Sequence, residues 1–345
     1  MLLAGLVACS GGRTPASQAP VGHEPPLRVA PVPVVMQLPG VAQYAVGDWR
    51  DGGQHAPLPG TLLMGGGELV PSAVQWFAEH AGRGRILVLA ASGADGLQLE
   101  IQDLSGGVAA LRTLVFSDRS ASFEPEVADL VAQADGIFLS GGDQARYIRF
   151  WKGTPVQRLL TAHVLAGKPI GGTSAGLAVL GGWAYGALDD GSIDSASALA
   201  DPLGEAVTLE HGFLGVPWLD NILTDTHFAQ RDRQGRLLAF VSKARQLSGQ
   251  PVVGLGVDED AALTLEGDGR ARLHRLDPGH MAWLIAPQAP AERLAPGEHL
   301  SQGEVAVVGI GGDSELDLVT LDIRAPAFLY RARTEGGQWQ LEPIK

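Results

Sequence analysis

Through the middle of the chain, apolar residues fall in short runs that end in glycine-rich turns. Thr61-Leu62-Leu63-Met64 ends in Gly65-Gly66-Gly67, and Gly136-Ile137-Phe138-Leu139 runs into Ser140-Gly141-Gly142-Asp143-Gln144. Arg85-Ile86-Leu87-Val88-Leu89-Ala90 is apolar almost throughout. Runs of this length without polar alternation read as strands buried on both faces. Between them the spacing turns helical. Helices are expected over 72–80, with Ser72 as N-cap, and over 124–132, 144–151 and 155–165. Further strands are expected over 111–116, 220–224 and 251–255, with a helix over 230–245. Such alternation predicts a parallel sheet covered on both faces. Beyond Asp258-Glu259-Asp260 the segments 261–265, 271–276 and 281–285 are short and alternating, and they predict antiparallel strands closing one side of that sheet. The expected fold is α/β: a three-layer, doubly wound, mostly parallel sheet with a β-rich C-terminal extension.

The ends read differently. Residues 10–58 are rich in Pro, Gly, Ala and Ser and suggest an extended tether. A catalytic α/β domain is expected over 59–265, and a β-rich part packed on it over 266–345. Residues 1–9, ending Leu6-Val7-Ala8-Cys9, resemble the end of a bacterial lipoprotein signal, in which Cys9 is the lipidated residue. The corresponding expectation is a protein of the bacterial cell envelope, lipid-anchored, or else secreted or periplasmic. No other apolar run approaches the ~18 residues that a membrane span needs.

Composition narrows the function. In 345 residues the net charge is −13 and charged residues make up 18%, against 45% hydrophobic. A basic nucleic-acid-binding face is not indicated, whereas a cationic substrate suits an acidic surface. Cys9 is the single cysteine, so the chain has no intramolecular disulfide and no cysteine-based metal site. Neither a cofactor nor a metal is expected, because no His/Asp/Glu cluster has ligand spacing.

The candidate chemistry centres on Gly172-Thr173-Ser174-Ala175-Gly176. A serine between small residues on a strand-to-helix turn is pushed out of the sheet, and free N–H groups of the following turn point beside its hydroxyl. A serine nucleophile needs an adjacent base, and His227, at the expected end of a strand, is best placed. The base needs an acid to fix its tautomer. Asp189, Asp190, Asp194 and Glu210 are candidates in a loop-like stretch, with Asp190 favoured. The turn at Gly142 offers backbone N–H groups as an oxyanion hole, and Asp143 there is equally a helix N-cap. Arg231, Arg233 and Arg236 follow the histidine closely and suit substrate carboxylates.

These stretches, together with Asp225-Thr226-His227-Phe228-Ala229-Gln230-Arg231-Asp232-Arg233-Gln234-Gly235-Arg236-Leu237-Leu238 and Gly254-Leu255-Gly256-Val257-Asp258-Glu259-Asp260, resemble the cyanophycinase branch of peptidase family S51, to which aspartyl dipeptidases are related. The resemblance spans about 62–265. It implies a class I glutamine amidotransferase-like or flavodoxin-like fold and serine-type hydrolysis of aspartyl peptide or isopeptide bonds. Ser174 would be the nucleophile and His227 the proton carrier. Gly142 and Ala175 would serve the oxyanion, and Gln144, Arg231, Arg233 and Arg236 the substrate. Cyanophycinases cleave a poly-aspartate backbone bearing arginine groups and release β-aspartyl-arginine. Glu68, Asp143 and Glu259 are then candidates to receive a substrate guanidinium. The partner expected is a peptide or cyanophycin-like polymer, and a homodimer is left open. The chain departs from the branch at Thr226, where Gln is usual, and at Leu177, where a small residue is usual. Another envelope amide, or peptide binding without catalysis, is the alternative.

Overall fold

The computed structural model describes residues 38–93, 96–189 and 191–344. Cys9 and Asp190 lie outside them. The first strands are β1 (Val41–Gly47), β2 (Gly60–Met64), β3 (Arg85–Ala90), β4 (Ala110–Phe116), β5 (Gly136–Leu139) and β6 (Ile170–Thr173). The helices between them are α1 (Pro71–His80), α2 (Leu97–Leu104), α3 (Pro125–Gln133), α4 (Gln144–Trp151) and α5 (Pro155–Leu165). The chain continues through α6 (Ala175–Ala178), β7 (Trp183–Tyr185), α7 (Ser195–Ala200), β8 (Leu209–His211), β9 (Ile222–Asp225), α8 (Gln234–Ser248) and β10 (Val253–Val257). The last strands are β11 (Ala261–Glu266), β12 (Arg270–Arg275), β13 (Ala282–Pro287), β14 (Gln302–Ile310), β15 (Glu315–Asp317), β16 (Asp322–Arg324), β17 (Phe328–Glu335) and β18 (Gln338–Pro343).

Two sheets form instead of one. The first runs β1-β4-β3-β5-β6-β2-β11-β12-β15-β16, and the second β18-β17-β14-β13-β10-β9-β7-β8. Strands β4, β3, β5, β6 and β2 are mutually parallel, as expected. The split arises because β6 already has β5 and β2 on its two edges, so β9 cannot pair there. It pairs in parallel with β7 and β10 instead. Strand β11 then returns to the first sheet, antiparallel to β2.

Burial explains the uninterrupted apolar runs. In β3, Leu87 and Leu89 join a core shared with Leu255 and Leu284 of the second sheet. Ile86 and Val88 face the other way, toward Val74 and Phe77 of α1. Both faces are dry, so alternation is absent. A third cluster sets Leu237, Phe240 and Val241 of α8 against Leu223, Ile285 and Val305 of the second sheet.

Two local expectations differ. Part of the expected tether is folded: Val41–Gly47 pairs antiparallel with β4 at the sheet edge. Ser72 does not cap α1, which begins at Pro71 behind Val70 without a side-chain cap. A proline there loses nothing, because its missing N–H would be unpaired in the first turn anyway. Ser72 Oγ instead meets His274 Nδ1 at 2.9 Å.

Candidate active site

The ends of β2, β6, β9 and β10 converge. At the end of β6 the chain turns at Ser174 with φ 52° and ψ −118°, a region that residues with a side chain avoid. The turn is held by Ser174 N–H, which donates to the Met64 carbonyl at the end of β2 (3.1 Å). The flanking glycines are required by space. A Cβ on Gly172 would sit 2.5 Å from the Gly176 carbonyl carbon, and one on Gly176 would sit 2.2 Å from the Leu139 oxygen. Helix α6 is a single turn, so it supplies local N–H donors more than a helix dipole.

His227 lies just past β9, also at positive φ (45°), and its N–H donates to the Gly65 carbonyl (2.8 Å). Its Nε2 is 2.7 Å from Ser174 Oγ, and its Nδ1 is 2.6 Å from Glu259 Oε1. A carboxylate only accepts, so Nδ1 carries the ring proton and donates it to Glu259. Nε2 is then free to accept from the Ser174 hydroxyl. Burial pushes the His227 pKa down, Glu259 opposes, and Arg231 and Arg233 push it down further; the net direction is down. The ring is therefore neutral over a wider pH range than an exposed histidine.

Glu259 is the acid partner that sequence reasoning missed. Asp190, the favoured candidate, lies outside the described residues, and the other candidates have different partners. Asp194 caps α7 by accepting from Ser197 N–H (2.7 Å), Glu210 accepts from Lys152 Nζ, and Asp189 is exposed. The contact to Nδ1 is made by Glu259 through Oε1, which gives this residue a role beyond the substrate contact expected of it. Asp143 caps α4, accepting from Ala145 N–H (2.9 Å).

The arginines divide. Arg236 is buried and bidentate on Asp225, with Nε 2.8 Å from Oδ2, and also donates to Ser192 Oγ and the Ile193 carbonyl. Arg233 is buried too, donates to the Thr226 carbonyl (2.8 Å) and lies 3.6 Å from Asp225. Neither can serve the substrate as expected, because their donors are directed into the protein to neutralise a buried carboxylate. Arg231 is different: its side chain is 53% exposed and 3.8 Å from Glu259, so it faces the open side of the site. Gly141 backs onto Ser174, and Gln144 opens α4, which packs against α6.

The two departures do not line the site. Leu177 is fully buried in the inter-sheet core, and Thr226 is buried with its hydroxyl accepting from Arg233 (3.1 Å).

A serine on a strained strand-to-helix elbow, bonded to a histidine that a carboxylate orients, is the arrangement that α/β serine hydrolases use. Residues 114–273 match the model of peptidase family S51, and this segment holds Ser174, His227 and Glu259. The chain is 35% identical over 228 residues to a cyanophycinase of Synechococcus elongatus, covering 66% of this chain and 58% of that one. It is 29% identical over 164 residues to a cyanophycinase of Trichormus variabilis, covering 47% and 50%. The chain thus spans between half and three fifths of the length of these relatives. A solved structure of a peptidase from an acI-B1 actinobacterium superposes with TM-score 0.49 at 16% identity, over 66% of this chain and 91% of that one.

Proposed function

We propose that this protein is a serine-type peptidase that hydrolyses aspartyl peptide or isopeptide bonds, cyanophycin-like polymer included. The relay Ser174–His227–Glu259, with contacts of 2.7 and 2.6 Å, carries the proposal. In the first step Ser174 Oγ attacks the scissile carbonyl while Nε2 of His227 takes its proton. Nδ1–H stays on Glu259, which stabilises the imidazolium formed. Backbone N–H groups at Gly142 and Ala175 receive the oxyanion, a contribution of about 3 kcal/mol per donor in comparable sites. His227 returns the proton to the leaving amine, leaving an acyl-enzyme on Ser174. Water, deprotonated by His227, then releases the acid product.

The substrate class rests on the cyanophycinase relatives and on Arg231, whose half-exposed guanidinium suits a backbone aspartate carboxylate. An envelope location with acylation at Cys9 is part of the same proposal and rests on residues 6–9 alone. Purified protein is expected to release β-aspartyl-arginine from cyanophycin or to cleave aspartyl dipeptides, and Ser174→Ala to abolish this. Turnover that survives in Ser174→Ala overturns the mechanism. Turnover of another amide, with cyanophycin and aspartyl dipeptides untouched, overturns the substrate class alone.

A further inference from the structure

We propose that Asp258 is a positioning residue that fixes His227 against Glu259 for the reaction proposed above. The two members of the relay stand on separate turns, one after β9 and one after β10. Those turns are joined in consecutive steps. Phe228 N–H donates to the Val257 carbonyl (3.2 Å), Ala229 N–H to Asp258 Oδ1 (2.9 Å), and Glu259 N–H to Gln230 Oε1 (3.0 Å). The Asp258 carboxylate is the middle link, one residue before the acid and bonded two residues after the base.

Asp258 also anchors both turns to a third element. Its Oδ2 accepts from Met281 N–H (2.8 Å), its Oδ1 accepts from Trp283 Nε1–H (3.0 Å), and its own N–H donates to the Met281 carbonyl (3.0 Å). The residue is 1% exposed, and the donors on its carboxylate are two backbone N–H groups and one indole. A buried carboxylate is costly to keep and needs its acceptor sites filled. Here they are filled by the turn that carries the base and by the strand that backs the site. His227 (φ 45°) and Asp260 (φ 55°) both hold positive-φ backbones beside it, conformations that persist only where surrounding bonds impose them.

Removing this link should let the two turns drift and lengthen the 2.6 Å contact between His227 and Glu259. Misplacement of a reacting group by about 1 Å is worth on the order of a hundredfold in rate. Asp258→Asn keeps the shape but turns an amide NH2 toward donors. We expect it to slow labelling of Ser174 by a fluorophosphonate probe about tenfold to a hundredfold, and to lower kcat with little change in KM. The downfield proton NMR signal of His227 Nδ1–H, expected in wild type, should move upfield or broaden. Trp283→Phe, which removes one donor, should show the same changes in weaker form and serves if Asp258→Asn does not fold. Thr154→Ala, which removes the cap of α5 far along the chain, should lower thermal stability without changing either readout. Wild-type labelling and an unmoved imidazole signal in Asp258→Asn overturn the proposal. A wild type that the probe never labels overturns the hydrolase reading instead, and the NMR signal then decides the role of Asp258 alone.

Discussion

Glu259 fixes which nitrogen of His227 carries the proton, and that choice sets whether Ser174 can be deprotonated. Glu259→Gln preserves size but presents an amide that can donate to the ring. Ring and tautomer are then no longer held, and kcat is expected to fall by roughly 10²–10⁴ with the fold intact. Steady-state kinetics beside circular dichroism checks this; a loss under threefold removes Glu259 from the relay. The pH profile follows from the ring. His227 must be neutral to act as base, and its pKa lies below the ordinary imidazole value, chiefly through burial. The acid limb of kcat/KM should therefore lie below the range of a free histidine. Arg231 contributes to that lowering, so Arg231→Gln should move the limb to higher pH. A limb that stays put or moves lower contradicts the assignment. At this scale the sequence showed Ser174 and His227 through local chemistry: an elbow bordered by glycines, and a histidine at a strand end. Glu259 stands in the same stretches, where the resemblance suggests only a substrate contact. The candidate acids Asp189, Asp190, Asp194 and Glu210 all precede the histidine, whereas Glu259 comes 32 residues after it. The available signal was adjacency. Strands β9 and β10 are parallel neighbours, with Asp225 level with Gly256, so the residues just beyond their ends must meet.

The elements reach the site through a few close approaches. Gly66 lies against the imidazole: a Cβ there would stand 2.2 Å from His227 Cε1, and its φ is +110°. Gly66→Ala should displace the ring and reduce labelling of Ser174 to near the level of His227→Ala, and a fluorophosphonate titration measures it directly. The arginine run shows why helix position matters. The helix expected from 230 begins at Gln234, after the short helical turn Ala229–Arg231. That shift lets Arg233 and Arg236 reach back under β9 to Asp225, while Arg231 remains on the turn facing out. Spacing alone could not separate these roles, because they depend on where the helix starts. Asp225 and Arg236 have side chains only 4% and 2% exposed. Removing one member of such a pair leaves a buried charge, at a cost of about 3–5 kcal/mol. Arg236→Met should lower unfolding free energy by that order in urea. A change below 1 kcal/mol contradicts the view that Arg236 is structural.

At the scale of the molecule, the two sheets cannot be divided at the boundary that composition suggests. The alternating segments after 265 are short and rich in turns, and composition suggests a separate part packed on the catalytic domain. Their inner faces belong to the main cores. Strand β11 ends at Glu266 and pairs with β12 across that boundary, and β13 and β14 extend the sheet that carries β9 and β10. Leu237, Phe240 and Val241 of α8 pack in one cluster with Ile285, Leu300, Val305 and Val307. Leu255 and Leu263 share another with Leu284, Ile310 and Leu316. A chain ending at 265 would take the members beyond that residue out of both clusters. Full exposure of one buried Leu, Phe or Val costs roughly 1.5–3 kcal/mol. Losses of that size are large against the whole stability of an ordinary domain, about 5–15 kcal/mol. Edges of β10 and β11 would also be left without partners, and such edges pair with other chains. Residues 38–265 are therefore expected to be insoluble or to lack a cooperative unfolding transition, although they contain Ser174, His227 and Glu259. Residues 38–345 should fold and react with a fluorophosphonate as the full chain does. Expression of both, with labelling and thermal melts, makes the comparison. A soluble 38–265 fragment with a sharp transition and normal labelling would show that the C-terminal strands are dispensable.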